Sequence, residues 1–202
     1  AWQGDAPGGG RPSASAGTTP RAPEAPDSTV MPPSEGSATA LPGAVQLNAA
    51  ALSAAFAEQG GEVERSRDGM LRLALPGSGA PEVLRRLREE PALGFDRLMD
   101  LSVIDRLAPA GRLEVVYLLE ASARGERLRV HAALAAAAAE IASATDLWPA
   151  ADWLEREAAE LFGIRFRGHP GLQKLLLPAD FEGHPMRRDF RAGPEAGGEG
   201  GA

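Results

Sequence analysis

The sequence contains no cysteine, so a disulfide, a thiolate-bound zinc ion and an iron–sulfur cluster are all excluded within these 202 residues. It also lacks an apolar run of about 18 residues, the length of a candidate membrane-spanning helix. No GxGxxG, GxxxxGK(S/T) or GxSxG motif supports a nucleotide site or a serine nucleophile. The net charge of −7 is spread along the chain, which argues against a general nucleic-acid-binding protein.

Composition divides the chain into four segments. Residues 1–43 are dominated by Pro, Gly, Ala, Ser and Thr, and we predict a disordered tail because they contain few residues that could form a core. Residues 191–202 are Gly-rich and acidic and are predicted to form a flexible second tail. We expect an α+β domain at 44–150, followed at 151–190 by a helix and an extended docking segment.

The first half of the folded part predicts a helix, a hairpin and a second helix. Asn48 is a favourable N-cap for a helix over 48–59, which Gly60 ends. Asp68-Gly69 is a strong signal for a two-residue hairpin turn. A proline in the first turn predicts a short amphipathic helix over 81–90.

Three strands, at 98–104, 113–119 and 126–131, are predicted to follow as a meander. The first is nearly apolar and is predicted to be central, and the third alternates strictly, with His131 expected on the outward side. Residues 132–142 have helix propensity, although propensity alone is weak. The predicted fold class is α+β: a single domain with a mixed or antiparallel sheet packed by helices.

A further helix is predicted over 152–162, with an apolar stripe along one side and Gly163 at its end. On a helical wheel Glu155 and Glu157 flank this stripe, while Arg156 and Glu160 lie on the far face and can pair. The two flanking carboxylates have three possible roles. They can belong to an ordinary solvated helix, receive donors from a partner or from the chain's own tail, or act as a general acid and base.

Beyond the helix, glycine and proline recur too often for long regular elements. His169 and His184 each precede a proline, and we expect each to hold a turn by hydrogen bonding to a backbone carbonyl. A metal site with Asp180 and Glu182 is the alternative, but no helical spacing presets these ligands. The cluster Arg187–Phe190 is better suited to protein docking than to lipid or nucleic acid, because two arginines are too few for electrostatic anchoring.

Several motifs in this region resemble the 30-kDa subunit family of respiratory complex I, the proton-pumping NADH–quinone oxidoreductase. The family signature is matched by Glu155-Arg156-Glu157, Glu160, Leu161-Phe162 and His169. Its usual continuation is matched by Phe162–Leu172, Leu175–Pro178 and Asp180–Phe190, and residues 145–153 are also similar to the family. The sequence departs from the pattern at Gln173, where a basic residue is usual, and at Arg191, where proline is common.

The resemblance implies that this polypeptide has no flavin, cluster or quinone ligand of its own; FMN and iron–sulfur clusters are implied in partner subunits. Those partners are chiefly the large quinone-site subunit and the cluster-bearing quinone-junction subunit. The implied location is the cytoplasmic face of the bacterial plasma membrane, with membrane contact only through the complex. Related subunits of membrane-bound hydrogenases or other quinone reductases remain an alternative.

No catalytic, cofactor-binding or metal-binding residue is therefore assigned in this chain. A free-standing acid–base enzyme that uses Glu155 or Glu157 with His169 is the competing hypothesis from another class. The residues expected to dock the partner are Glu155, Arg156, Glu157, Glu160, Phe162, His169, Lys174, Phe181, Glu182, His184, Arg187, Arg188, Asp189 and Phe190.

Overall fold

The computed structural model describes residues 48–106 and 111–191. The tail predicted at 1–43 lies outside the described residues, and so does the tail predicted at 191–202 apart from Arg191. Within the described ranges, no helix combines the length and the apolar character needed to cross a membrane.

The core of the fold is a mixed five-stranded sheet with strand order β1-β2-β5-β4-β3. Only the β2–β5 pair is parallel, and the predicted hairpin and meander are both confirmed. The register aligns Leu73, Val130 and Tyr117, which are fully buried on one face of the sheet. The strands are β1 Glu62–Arg65, β2 Leu71–Pro76, β3 Arg97–Arg106, β4 Arg112–Ala121 and β5 Glu126–Ala135.

Three helices, α1 Ala49–Phe56, α2 Ala80–Glu89 and α3 Ala151–Phe162, contribute to the same core. Helix α1 begins as predicted, since Asn48 Oδ1 accepts a hydrogen bond of 2.7 Å from the Ala51 N–H, and it continues as a 3-10 turn, Ala57–Gln59. The buried residues of α2 include the predicted Val83, Leu84 and Leu87. The opposite face of the sheet is largely charged, which is the usual pattern for a sheet packed on one side.

The segment with helix propensity, 132–142, does not form an α-helix. Strand β5 continues to Ala135, a 3-10 turn follows at Ala136–Ala138, and a short strand, β6 Glu140–Ala142, pairs in parallel with β7 Arg165–Arg167. Ala132, Leu134 and Ile141 are buried in the core. Burial of these side chains has overridden a propensity that amounts to a few tenths of a kcal/mol per residue.

One detail of the predicted sheet was wrong, and one was right about the face but not about the burial of the side chain. Strand β3 lies at the edge, bonded only to β4, and not at the centre. Its apolar character reflects packing against the core through Leu98 and Leu101 on one face, while Met99 is exposed. His131 does lie opposite Leu128 and Val130, yet it is only 8% exposed because polar side chains of neighbouring strands surround it.

Candidate docking surface

Glu155, predicted at the rim of the apolar stripe, is completely buried beneath α3. Its Oε1 accepts a hydrogen bond of 2.6 Å from the Ala144 N–H, and its Oε2 accepts one of 2.7 Å from the Ser143 hydroxyl. Burial raises the pKa of the Glu155 carboxyl, although both hydrogen bonds act in the opposite direction. The side chain therefore ties the segment after β6 to α3.

Arg156 and Glu160 do not form the predicted pair. Arg156 donates to the Gln173 carbonyl over 3.1 Å, and its guanidinium lies 5.1 Å from the centre of the Trp153 ring. Glu157 is exposed on the same helix. The wheel could show neither that Glu155 turns into the core nor that the chain folds back over the polar side of α3 and covers Glu160.

Glu160 holds the returning chain, which we call the strap and define as residues 168–191. Its carboxylate accepts hydrogen bonds from three consecutive backbone N–H groups, those of Leu175, Leu176 and Leu177, at 3.0, 2.9 and 2.5 Å. The residue is 7% exposed. Burial would raise the pKa of this carboxyl, but the three backbone donors outweigh burial and hold the pKa below its usual value.

Lys174 closes the next turn of the strap. Its ammonium donates to the carbonyls of Pro178, Ala179 and Phe181. Further along, the rings of Phe181 and Phe190 stack with their centres 6.1 Å apart. The strap thus satisfies many of its backbone groups within the chain, although it contains almost no regular secondary structure.

The expectation that both histidines bond to carbonyls is confirmed. His169 Nε2 lies 3.1 Å from the Asp152 carbonyl oxygen, while its Nδ1 accepts from the Gly171 N–H at 2.9 Å. His184 Nδ1 lies 2.9 Å from the Glu160 carbonyl oxygen. These contacts attach the strap to the first and the last turns of α3.

At the end of the strap, the arginine cluster is already partly used within the chain. Arg187 forms a two-pronged pair with Asp189 at 2.9 and 3.0 Å. The backbone N–H of Arg188 donates to Asp105 Oδ2 over 2.7 Å, and its side chain is exposed. The exposed Glu182, with His184, Arg187 and Phe190, lines an open cavity of about 460 Å³.

The surface made by α3 and the strap carries four of the five large exposed hydrophobic side chains of the described residues. Trp153 is 61% exposed and Leu176 is 60% exposed; Leu172 and Met186 are the other two. The docking residues predicted from the sequence include none of these four side chains, although all four lie within the predicted helix and docking segment at 151–190. Trp153 could have been found, because it lies off the apolar stripe of its own helix. Phe162, by contrast, is half-buried against the core and is a weaker docking candidate.

The acid–base hypothesis gains no support from this geometry. Both oxygens of Glu155 are occupied and the residue has no exposed surface, while both ring nitrogens of His169 are hydrogen-bonded. Nor do three or more His, Asp or Glu side chains converge as a possible metal site anywhere in 48–106 or 111–191.

The comparison with protein families decides the assignment. The model of a family described as the 30 Kd subunit of the respiratory-chain NADH dehydrogenase matches residues 74–196. The chain belongs to this family. The resemblance found in the sequence is thereby confirmed, and the match includes strands β3 to β5, helix α3 and the whole strap.

Individual members of the 30 Kd subunit family agree with this assignment. An NADH-quinone oxidoreductase subunit from Salinispora arenicola is 41% identical over 126 residues, which are 62% of this chain and 51% of that protein. A longer NADH-quinone oxidoreductase polypeptide from Shewanella woodyi, whose name combines two subunits, is 43% identical over 130 residues, 61% of this chain and 22% of that protein. The chain thus spans about half the length of the Salinispora relative, and both relatives are named as parts of an enzyme complex.

The chain is also similar to a solved structure. A trypsin-resistant fragment of Nqo5 is 32% identical and superposes with a TM-score of 0.53, covering 60% of this chain and 96% of the fragment. This agreement bears out the predicted α+β fold with a helix-packed mixed sheet.

Gly163 directly follows α3 and lies against His184 of the strap, so it offers a test of the contact between α3 and the strap. Its φ is +72°, and an added Cβ would lie 2.5 Å from His184 Cδ2. We expect Gly163→Ala to lower the free energy of unfolding by about 1 kcal/mol more than Gly168→Ala, because overpacking adds to the backbone strain. Gly168 is the matched control, since its φ is +84° and nothing lies within 4 Å of its added Cβ. Urea unfolding measures the stability of both variants, and equal losses of stability would contradict the contact between Gly163 and His184.

Proposed function

We propose that the chain is a non-redox structural subunit of the peripheral arm of a proton-translocating NADH–quinone oxidoreductase. It supports electron transfer from NADH to quinone by packing against the large quinone-site subunit and the neighbouring cluster-bearing subunit. FMN and the iron–sulfur clusters belong to partner chains. The chain then lies on the cytoplasmic face of the bacterial plasma membrane and reaches the membrane only through the complex.

The observation that carries this proposal is the composition of the surface formed by α3 and the strap. Large exposed hydrophobic side chains are concentrated there, on a backbone that Glu160, Lys174 and two histidines already hold. An aromatic anchor such as Trp153 beside an arginine is the usual composition of an interface hot spot. Because the strap is bound within the chain, little ordering entropy opposes docking.

The fused relative supports the choice of partner. The Shewanella woodyi polypeptide contains a segment similar to this chain within a much longer protein whose name combines two subunits. Fusion places two subunits at high effective concentration, which is advantageous for chains that pack against each other. We therefore propose that the large partner that covers the strap is a separate subunit similar to the rest of the Shewanella woodyi protein, the part that this chain does not match.

Replacement of Trp153 by alanine tests the docking role. We expect the free chain to remain folded, because this side chain is largely exposed, and its affinity for the partner subunits to fall about tenfold or more. Co-purification with the partner subunits, together with NADH–quinone activity, measures the effect.

Met99→Ala is the matched control, because Met99 is also a large exposed hydrophobic side chain but belongs to strand β3 and not to α3 or the strap. Unchanged assembly of the Trp153 variant would contradict the proposed surface. Substrate turnover by the isolated chain would instead favour a free-standing enzyme.

A further inference from the structure

A second polar cavity lies on the sheet face opposite the helices. Its volume is about 310 Å³. It opens between β1, β2, β4 and β5, where side chains of the charged face alternate with small residues. Its lining includes the charged and polar side chains Glu62, Arg72, Arg112, Glu114 and His131.

Glu114 is the centre of this cavity and is only 3% exposed. Its Oε1 lies 3.1 Å from Arg112 Nη2 and 3.7 Å from Arg106 Nε. Its Oε2 lies 3.4 Å from His131 Nδ1 and 3.9 Å from Arg72 Nη2. One buried carboxylate thus faces three guanidinium groups and an imidazole.

These basic groups have more donors than the two oxygens of Glu114 can accept. Arg72 also pairs with Glu64 at 2.8 Å, whereas the side chains of Arg106 and Arg112 reach Glu114 while about half of their surface stays exposed. A guanidinium carries five N–H donors in a planar fork that matches a carboxylate. Arg112, which lines the cavity, therefore retains donors for a second carboxylate, and so does Arg106, which lies beside the cavity and approaches Glu114 without being part of the lining.

His131 provides an independent sign that the cavity is incomplete. Its Nε2 is buried and has no hydrogen-bond partner among the residues that the structure describes. Most buried polar atoms in folded proteins have a partner, since leaving one unpaired costs about 1–3 kcal/mol. An oxygen-bearing ligand in this cavity would remove that cost.

We propose that this cavity binds the carboxylate of a glutamate or aspartate side chain of a neighbouring subunit. The inserted carboxylate would share Arg106 and Arg112 with Glu114 and would accept a hydrogen bond from His131 Nε2. Glu62 lines one side of the cavity and Glu64 pairs with the lining residue Arg72, so these carboxylates would repel a bulky, multiply charged anion and favour a single carboxylate. This inference rests on the proposed function only in taking the side chain from a partner subunit.

Binding should also take up a proton. In the free chain, burial and the nearby Arg72 hold the pKa of His131 below its usual value, while Glu114 opposes them and Arg129 on the same strand adds to them. A bound carboxylate would stabilise the imidazolium and raise this pKa. Affinity should therefore increase as the pH falls through the pKa of His131 in the bound state, and it should level off below the lowered pKa of the free chain.

The imidazole signals of the full chain test the site directly, because only three histidines are present. Acetate is the probe, titrated against chloride at equal ionic strength and followed by nitrogen-detected NMR. We expect acetate to shift His131 Nε2 and raise its pKa, while His169 and His184, which are hydrogen-bonded between α3 and the strap, do not respond. Equal effects of chloride, or no response of His131, would overturn the site.

A double variant separates this site from ordinary charge screening. Arg106→Gln with Arg112→Gln should abolish the acetate response and weaken assembly with the partner subunits about tenfold. The control is Arg127→Gln, because Arg127 is a half-exposed arginine on the same face that pairs with a different carboxylate, that of the buried Glu120. If the double variant loses acetate binding but assembles normally, the partner carboxylate is refuted. This outcome differs from failure of the α3–strap surface, which Trp153→Ala reports.

Discussion

Replacement of Glu160 by glutamine is expected to release the strap from α3 and prevent assembly with the partner subunits. The carboxylate accepts three consecutive backbone N–H groups, whereas the amide of glutamine offers one acceptor oxygen and places two donors against these N–H groups. Hydrogen bonds to a charged group contribute about 1.5–3 kcal/mol each. Residues 175–177 of the strap should therefore lose most of the free energy that holds them to α3.

Amide hydrogen exchange at residues 175–177 measures this release. We expect exchange there to accelerate at least about a hundredfold, while the sheet keeps its protection, since a loss of about 3 kcal/mol corresponds to more than two powers of ten. Glu157→Gln is the matched control, because Glu157 is exposed on the same helix. Retained protection at 175–177 in the Glu160 variant would show that other contacts hold the strap.

A second large effect is expected when Glu155 is replaced by alanine. The substitution leaves the Ala144 N–H and the Ser143 hydroxyl without their acceptor and opens a cavity beneath α3. Unpaired buried donors and a cavity together predict a loss on the order of 3 kcal/mol in the free energy of unfolding. Urea unfolding of Glu155→Ala beside Glu157→Ala measures this loss, and equal stability of the two variants would contradict the buried role.

Glu155→Gln should change the pH dependence of stability. Burial raises the folded-state pKa of Glu155, so the folded chain binds this proton more tightly than the unfolded chain. The corresponding contribution to stability is present below the unfolded-state pKa and is lost as the pH rises through the folded-state pKa. Relative to the wild type, the glutamine variant should therefore gain stability as the pH rises. If the stabilities of the wild type and the glutamine variant changed with pH in parallel, a raised pKa of Glu155 would be excluded.

Local sequence signals predicted most of the secondary structure. The Asn48 cap, the hairpin around Asp68-Gly69 and the Gly163 stop each depend on contacts or backbone angles within a few residues, and all three are present. The hairpin loop is longer than the predicted two-residue turn, since the last strand pair joins Arg65 to Leu71. The position of β3 at the edge and the fate of residues 132–142 could not be predicted in this way. Both depend on which strands pair across the sheet, and sequence patterns within one strand do not contain that information.

The candidate docking surface was predicted only in outline. Glu155, Glu157 and Glu160 have the same side chain within six positions of one helix, yet one is buried in the core, one is exposed and one holds the strap. Which residues of the strap contact a partner stays a prediction. Glu160 and Lys174 are weaker candidates for contacts with a partner, because their side chains already form hydrogen bonds within the chain.

Short-range signals were sufficient to predict the α+β class and the approximate limits of the main helices. The motifs in the last third of the chain were sufficient to predict membership of the 30 Kd subunit family. Each of these depends on periodicity, capping chemistry or a local motif. The roles of the three glutamates, the attachment of the strap and the cavity around Glu114 became visible only in the folded chain. Those features bring together residues far apart in sequence, such as Arg72 and Glu114, and burial then assigns different roles to chemically identical side chains.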